Sequence, residues 1–329
     1  MKNKLPVIIG VAILAVALIA VILIVVTTNK KEPEPDVSWE LSSIEEEMTT
    51  TTTEATTTVT TTVTTTETTT ETTTETTPAA LTVEEESGNL VMLDSLKSYY
   101  NSNSDTAGWI KVGGTYVDSV VVQTDNNDFY LDHSFQKSYY SHGAIFADFR
   151  GKINDYAQNQ CDNIMLYGHN QADGSMFGTL SRYKISKQNT SNFSFYKEHP
   201  TFEFSNLYHT YTYKIIGIMV VEVEDYQVRP DDEVFDYQNY VKFFPDHEKY
   251  NFDNWYKNVM ERTEVFTGVS CDPTDKYLTL STCSNEFDQS RLLIIGRRVR
   301  QDEDPDVDTS LAELNPDPKE PDLDYIYGR

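Results

Sequence analysis

Tyr277-Leu-Thr-Leu-Ser-Thr-Cys283-Ser-Asn-Glu-Phe-Asp-Gln-Ser-Arg291-Leu-Leu-Ile-Ile-Gly-Arg297 reads as strand, short loop, strand. The first run is β-branched and aromatic, and the second is nearly continuous apolar sequence, as a buried strand requires. Cysteine stands where the first strand ends and arginine where the second begins. Paired strands lie about 4.8 Å apart, so a short loop brings both side chains to one rim of a sheet. A fixed cation beside a thiol favours the thiolate, which is the nucleophile. Strand parity groups Cys283 with Tyr277, Thr279 and Ser281, opposite Leu278 and Leu280. That is the more polar face, and it argues against an inert core thiol.

Upstream, Asn163-Ile-Met-Leu-Tyr-Gly-His169-Asn170 is another apolar strand, with histidine at its mouth. Cysteine, histidine and arginine at strand ends suggest nucleophile, acid/base and oxyanion stabiliser. His169 stands out among six histidines because a buried-strand pattern and a glycine precede it; His142, before another glycine, is second. Arg297 and Arg298 read as ordinary strand-end charges. The Ser-x-x-Lys spacing occurs at Ser134-Lys137, Ser181-Lys184 and Ser194-Lys197 without the partner motifs of a serine nucleophile. Metal-binding spacings and a glycine-rich phosphate loop are also missing, so no cofactor is expected.

The block Thr279-Leu-Ser-Thr-Cys283, with Arg291 after it and Tyr167-Gly-His169-Asn before it, resembles the sortases, membrane-anchored cysteine transpeptidases of Gram-positive bacteria. Gly108-Trp-Ile110, Val121-Val-Gln123, Gly143-Ala-Ile-Phe-Ala-Asp148 and Gly174-Ser-Met-Phe-Gly178 resemble class B in particular. The resemblance implies Cys283 as nucleophile, His169 as general acid/base and Arg291 at the oxyanion. Ser281, Thr282 and Asn170 are expected to touch the substrate. A charged third member is left open: Asn285 stands where some class B enzymes have aspartate, and Glu286, Asp288 or Asn170 are the substitutes considered. The implied partners are surface proteins with a Leu/Asn-Pro-x-Thr-Gly-like C-terminal signal, and a lipid-linked peptidoglycan precursor amine. A pilin polymerase with a lysine acceptor and a non-enzymatic threonine-rich adhesin are the alternatives.

The rest of the chain fits this frame. Net charge is −26 over 329 residues, which argues against nucleic-acid binding. Residues 1–4 form a short basic, cytoplasmic start. Residues 5–26 are an apolar run of spanning length, read as an uncleaved signal-anchor in the plasma membrane with the catalytic domain on the extracellular face. Residues 27–87 carry Thr-Thr-Thr-X repeats and read as a disordered tether. Residues 88–300 read as a mainly β domain. Short strands at regular spacing suggest a closed antiparallel barrel. A helix over 90–99, a short one over 175–183 and a helical insertion over 236–260 before the cysteine strand complete it. Residues 301–329 are acidic and proline-rich and read as a disordered tail, so a fragment ending near Val299 is expected to fold alone. The three cysteines allow a Cys161–Cys271 disulfide; the preferred reading is three unpaired thiols.

Overall fold

The computed structural model describes residues 89–185, 191–224, 228–229 and 233–329. The expected anchor and tether lie outside them. Among the described residues no helix is long and apolar enough to cross a membrane.

Eight strands close into a barrel. They are β1 (Thr106–Val112), β2 (Asp118–Val122), β3 (Phe146–Ala147), β4 (Asn163–Tyr167), β5 (Thr201–Asn206), β6 (Thr210–Val221), β8 (Tyr277–Cys283) and β9 (Arg291–Arg298). Their order around the barrel is β1-β2-β3-β4-β8-β9-β6-β5. The barrel is closed, as expected, but not antiparallel throughout: β2·β3 and β4·β8 are parallel. A parallel pair needs a crossover. The chain from Gly168 to Lys276 provides one for β4·β8, carrying β5, β6 and the helices on its way. Strand spacing in the sequence has no means of showing that.

β8 lies between β4 and β9 and is buried on both faces up to Cys283. Leu278 and Leu280 face into the barrel. Tyr277, Thr279 and Ser281 face outward, where the 237–262 region covers them. Tyr277 packs against Trp255 (4.6 Å between ring centroids), Phe243 (5.9 Å) and Phe252 (6.0 Å). Such pairs add about 0.5–1.5 kcal/mol each beyond their buried area. The more polar face of β8 is therefore a second interior, not a solvent face.

The helical elements depart from the expected spans. α1 is Asp94–Ser102, later than the apolar spacing suggested. The 175–183 helix is a 3-10 stretch, Gly178–Tyr183. α2, Ser191–Glu198, has no counterpart in the sequence reading. The insertion splits into a 3-10 turn at Tyr237–Asn239 and α3, Phe252–Arg262, capped by the Asn251 side chain. Pro245 explains the split, because the residue before a proline is pushed off the helical conformation.

Residues 301–329 correct the expectation of a disordered tail. They belong to the same compact unit as the barrel. Glu303 accepts two hydrogen bonds of 2.6 Å from Arg297 and one of 2.9 Å from Lys214. Arg297 is 1% exposed, so it is a buried cation and not the strand-end surface charge its position suggested. Beyond it, β10 (Glu313–Leu314) pairs with β7 (Val265–Phe266), and α4 (Leu323–Ile326) follows. The acidic composition hid a segment whose key carboxylate neutralises two barrel cations.

Burial alone would push the Glu303 carboxyl up; hydrogen bonds from Arg297, the Arg300 amide and Lys214 outweigh it and hold the group far below the usual carboxylate range. A depressed folded-state pKa contributes stability that is present above the unfolded value and lost as pH falls below it. Glu303→Gln is expected to cost about 3 kcal/mol at pH 7, because it strands a buried cation. That corresponds to roughly 6–12 °C in the melting temperature. The deficit should shrink as the wild type is acidified below about pH 4. A melt unchanged at pH 7 would show that Arg297 needs no counter-ion.

Candidate active site

Two ladders around β8 assemble the site. On the β9 side Cys283 stands directly opposite Arg291, so the two residues project to the same, outer face. On the β4 side Tyr167 pairs with Ser281. The chain then leaves β4 through Gly168, His169 and Asn170, tied to β8 at each step. The Gly168 amide donates to the Ser281 carbonyl (3.3 Å), and Thr282 Oγ1 donates to the Gly168 carbonyl (2.7 Å). Asn170 Nδ2 donates to the Cys283 carbonyl (2.7 Å). The backbone of His169 is thus clamped between two bonds to the cysteine strand.

Gly168 serves a close approach. A Cβ there would lie 2.9 Å from the Phe177 ring, which packs beneath the histidine loop. His169 Nε2 lies 2.7 Å from the Leu131 carbonyl. Only a donor can face a carbonyl oxygen, so Nε2 carries the proton and Nδ1 is the basic nitrogen of the neutral ring. Arg291 directs Nη1 to the Ser290 carbonyl (3.1 Å) and Nη2 to Gln289 Oε1 (3.0 Å). A cleft of about 220 Å³ is lined by Cys283, Asn285, Phe287, Asp288, Gln289, Ser290 and Arg291. It joins nucleophile and cation in one solvent-accessible space.

The structure brings Cys283, His169 and Arg291 to one end of the barrel, as the sequence suggested. It reassigns two of the expected substrate contacts. Ser281 and Thr282 are 2% and 3% exposed. Ser281 Oγ shares a 2.8 Å hydrogen bond with Tyr237 Oη, and the Thr282 hydroxyl is spent on Gly168. A side chain one or two residues before the strand end is still inside the fold, which is why neither reaches the surface. Asn170 holds the Cys283 carbonyl. Of the candidates for a charged third member, Glu286 forms an ion pair with Lys184 (2.8 Å), Asn285 sits at positive φ (62°), and Asp288 lines the cleft. His142 lies 3.2 Å from Tyr140 Oη and 3.3 Å from Ser175 Oγ.

A polar hub that the sequence reading quoted but gave no role lies behind the site. Asp148 has a fully buried carboxylate. It accepts from Arg150 Nε (2.8 Å) and Nη2 (2.7 Å), Asn127 (3.0 Å) and Tyr167 Oη (2.9 Å). Burial opposes its ionisation; the Arg150 hydrogen bonds, with Asn127, outweigh that and keep its pKa low. Arg150 also reaches Gln238 O (2.7 Å) and Asn239 Oδ1 (2.6 Å). The hub therefore ties β4 to the segment whose Tyr237 supports β8. Its only trace in the sequence is an aspartate closing an apolar strand, with arginine two residues on.

A family model for the Sortase domain matches residues 110–299, more than half of the chain, and the protein belongs to the sortase family of cysteine transpeptidases. Within it the likeness is to class B. The chain is 28% identical to sortase B of Listeria monocytogenes over 208 residues, covering 63% of this chain and 74% of that protein. It is 30% identical to sortase B of Staphylococcus aureus over 200 residues, covering 60% and 72%. A crystal structure of a Bacillus anthracis protein described as similar to sortase B superposes with a TM-score of 0.51 at 24% identity, over 66% of this chain and 88% of that one. The family sets aside the reading as a non-enzymatic adhesin.

All three thiols are unpaired. Burial pushes Cys161 up to about 12 and Cys271 up to about 12, which keeps both as the unreactive thiol at pH 8. Iodoacetamide at pH 8 is expected to label Cys283 alone in the native protein, and all three after denaturation, as read by peptide mass mapping. Equal native labelling of Cys161 or Cys271 would contradict the packing around them.

Proposed function

We propose that this protein is a membrane-anchored class B sortase. On this reading it cleaves a Leu/Asn-Pro-x-Thr-Gly-like signal of surface proteins and joins the threonine carbonyl to a cell-wall precursor amine. The observation that carries the reading is the Cys283–Arg291 register pair, with the His169 loop clamped to the same strand end. The apolar run at residues 5–26 supports a signal-anchor and an extracellular catalytic domain by length and composition.

The chemistry follows from the residues. His169 Nδ1 takes the Cys283 proton, and the sulfur attacks the threonine carbonyl carbon. The negative charge that develops on the carbonyl oxygen meets the Arg291 guanidinium, whose fork must turn from Ser290 and Gln289 toward the cleft. When the tetrahedral adduct collapses, the C–N bond breaks and His169 returns the proton to the leaving amine. A thioester on Cys283 remains. The acceptor amine attacks it, His169 removes the surplus proton, and an amide forms as the thiolate leaves. An oxyanion donor of this kind is typically worth about 3 kcal/mol in the transition state.

The test is cleavage of fluorogenic peptides of the Leu/Asn-Pro-x-Thr-Gly form by the full chain, with a panel of acceptor amines that includes a lysine peptide. Cys283→Ala is expected to abolish cleavage, while Cys161→Ala and Cys271→Ala retain most of it. Arg291→Lys should lose at least tenfold in rate with its melt unchanged, since an ammonium is a mobile point charge where the guanidinium is a fixed fork. Preference for the lysine acceptor would convert the reading to pilin polymerisation. Cleavage by Cys283→Ala would overturn it.

A further inference from the structure

The loop between β8 and β9 forms the wall of the cleft, and its conformation is not one it would hold alone. Asn285 and Gln289 both adopt positive φ, 62° and 59°. Asparagine enters that region readily, whereas glutamine does so at a cost that its surroundings must offset. Inside the loop, the Ser284 amide donates to the Ser290 carbonyl (3.1 Å), and Ser284 Oγ donates to Ser290 Oγ (2.8 Å). Phe287 of the loop is buried in the core, and beside it contacts from two outside residues meet at Glu286. Its carboxylate pairs with Lys184 Nζ (2.8 Å), which also donates to the Ser284 carbonyl (3.2 Å). Its backbone carbonyl accepts from Tyr327 Oη (2.8 Å).

Tyr327 belongs to the segment that follows the barrel. That segment starts about 20 Å away, at the far end of β9, where Glu303 meets Arg297. It is fastened along its course. Ala312 is buried, and β10 pairs with β7. The Asn315 amide donates to the Glu264 carbonyl (3.0 Å), and its side chain donates to the Thr263 carbonyl (2.8 Å). The Lys319 amide donates to the Glu261 carbonyl at the end of α3 (2.7 Å). Asp322 caps α4 and pairs with Arg229. Ile326 packs against the core beside Tyr327. A strap so fastened delivers its tyrosine to a fixed place.

We propose that residues 301–329 form a positioning strap for the active site. Tyr327 and Lys184 hold Glu286 from two sides, and so fix the wall from which Arg291 serves the oxyanion. Tyr327 is a positioning residue: it acts on Glu286, whose carbonyl turns outward, and not on the reacting atoms. This inference rests on Cys283 and Arg291 being the reacting pair.

The experiment is Tyr327→Phe in the full chain, which keeps the ring and removes one hydroxyl. kcat and KM for the fluorogenic peptide are measured beside a thermal melt, with Cys283→Ala as the parallel control. The expected result is about a fivefold fall in kcat from the loosened cleft wall, with KM unchanged and the melting temperature unchanged, because at this exposed site water replaces the lost bond to the Glu286 carbonyl. Lys184→Met in the Tyr327→Phe background should deepen the kcat loss beyond either single change. Wild-type kcat in Tyr327→Phe, or a kcat loss matched by an equal loss of thermal stability, would overturn the strap. Persisting cleavage by Cys283→Ala would strike the reading of the site itself, and the strap with it.

Discussion

Everything at the catalytic end depends on the parallel register of β4 with β8. Tyr167 pairs with Ser281, which leaves Gly168, His169 and Asn170 running past Thr282 and Cys283. Had the register slipped by one residue, every side chain of β8 would change face: Cys283 would turn into the barrel, and Leu278 and Leu280 would turn out of it. The hydrogen bonds of Thr282 to Gly168 and of Asn170 to Cys283 lock that register at its open end, where the ladder itself has run out. Antiparallel pairing with β9 then needs only a seven-residue loop to bring Arg291 opposite the thiol.

A strand held this way must be supported on both faces. The barrel supplies one side. The other is supplied by the Trp255, Phe243 and Phe252 cluster on Tyr277, and by Tyr237 on Ser281. The Asp148–Arg150 pair fixes the Tyr237 segment in turn. The hub is a buried carboxylate met by a partly exposed arginine, with its remaining lone pairs satisfied, the condition under which such a buried charge is tolerated. At the opposite pole, Arg297 and Lys214 share Glu303 and begin the strap. Support for the cleft thus arrives both from within the sheet and from the segment that follows it.

The positions of Cys283, His169 and Arg291 are legible because each stands at or just beyond one end of a strand, Arg291 at the start of β9 and the other two at the close of β8 and β4, where the composition changes. Closure of the barrel followed from the succession of short strands. What escaped the sequence depended on partners distant along the chain. Ser281 and Thr282 look like rim residues until Tyr237 and Gly168 are placed against them. Arg297 looks like a surface charge until Glu303 folds back onto it. Acidic, proline-rich sequence over 301–329 has the composition of a disordered tail, yet a few anchors suffice: one carboxylate on buried cations, one asparagine on two carbonyls and one tyrosine on the loop. The 236–260 periodicity overran Pro245, a breaker that was visible in the sequence.

The central claim is that one strand end gathers the reacting groups around the Cys283 sulfur. Mass spectrometry of the acyl-enzyme tests it most directly. The full chain is mixed with a Leu/Asn-Pro-x-Thr-Gly-form peptide in the absence of acceptor amine, quenched in acid within seconds and digested. The account predicts a thioester-linked fragment ending in threonine on the peptide that contains Cys283, discharged when an amine is added before the quench. An acyl group on any other residue, or peptide cleavage with no adduct on Cys283 at any quench time, would contradict it.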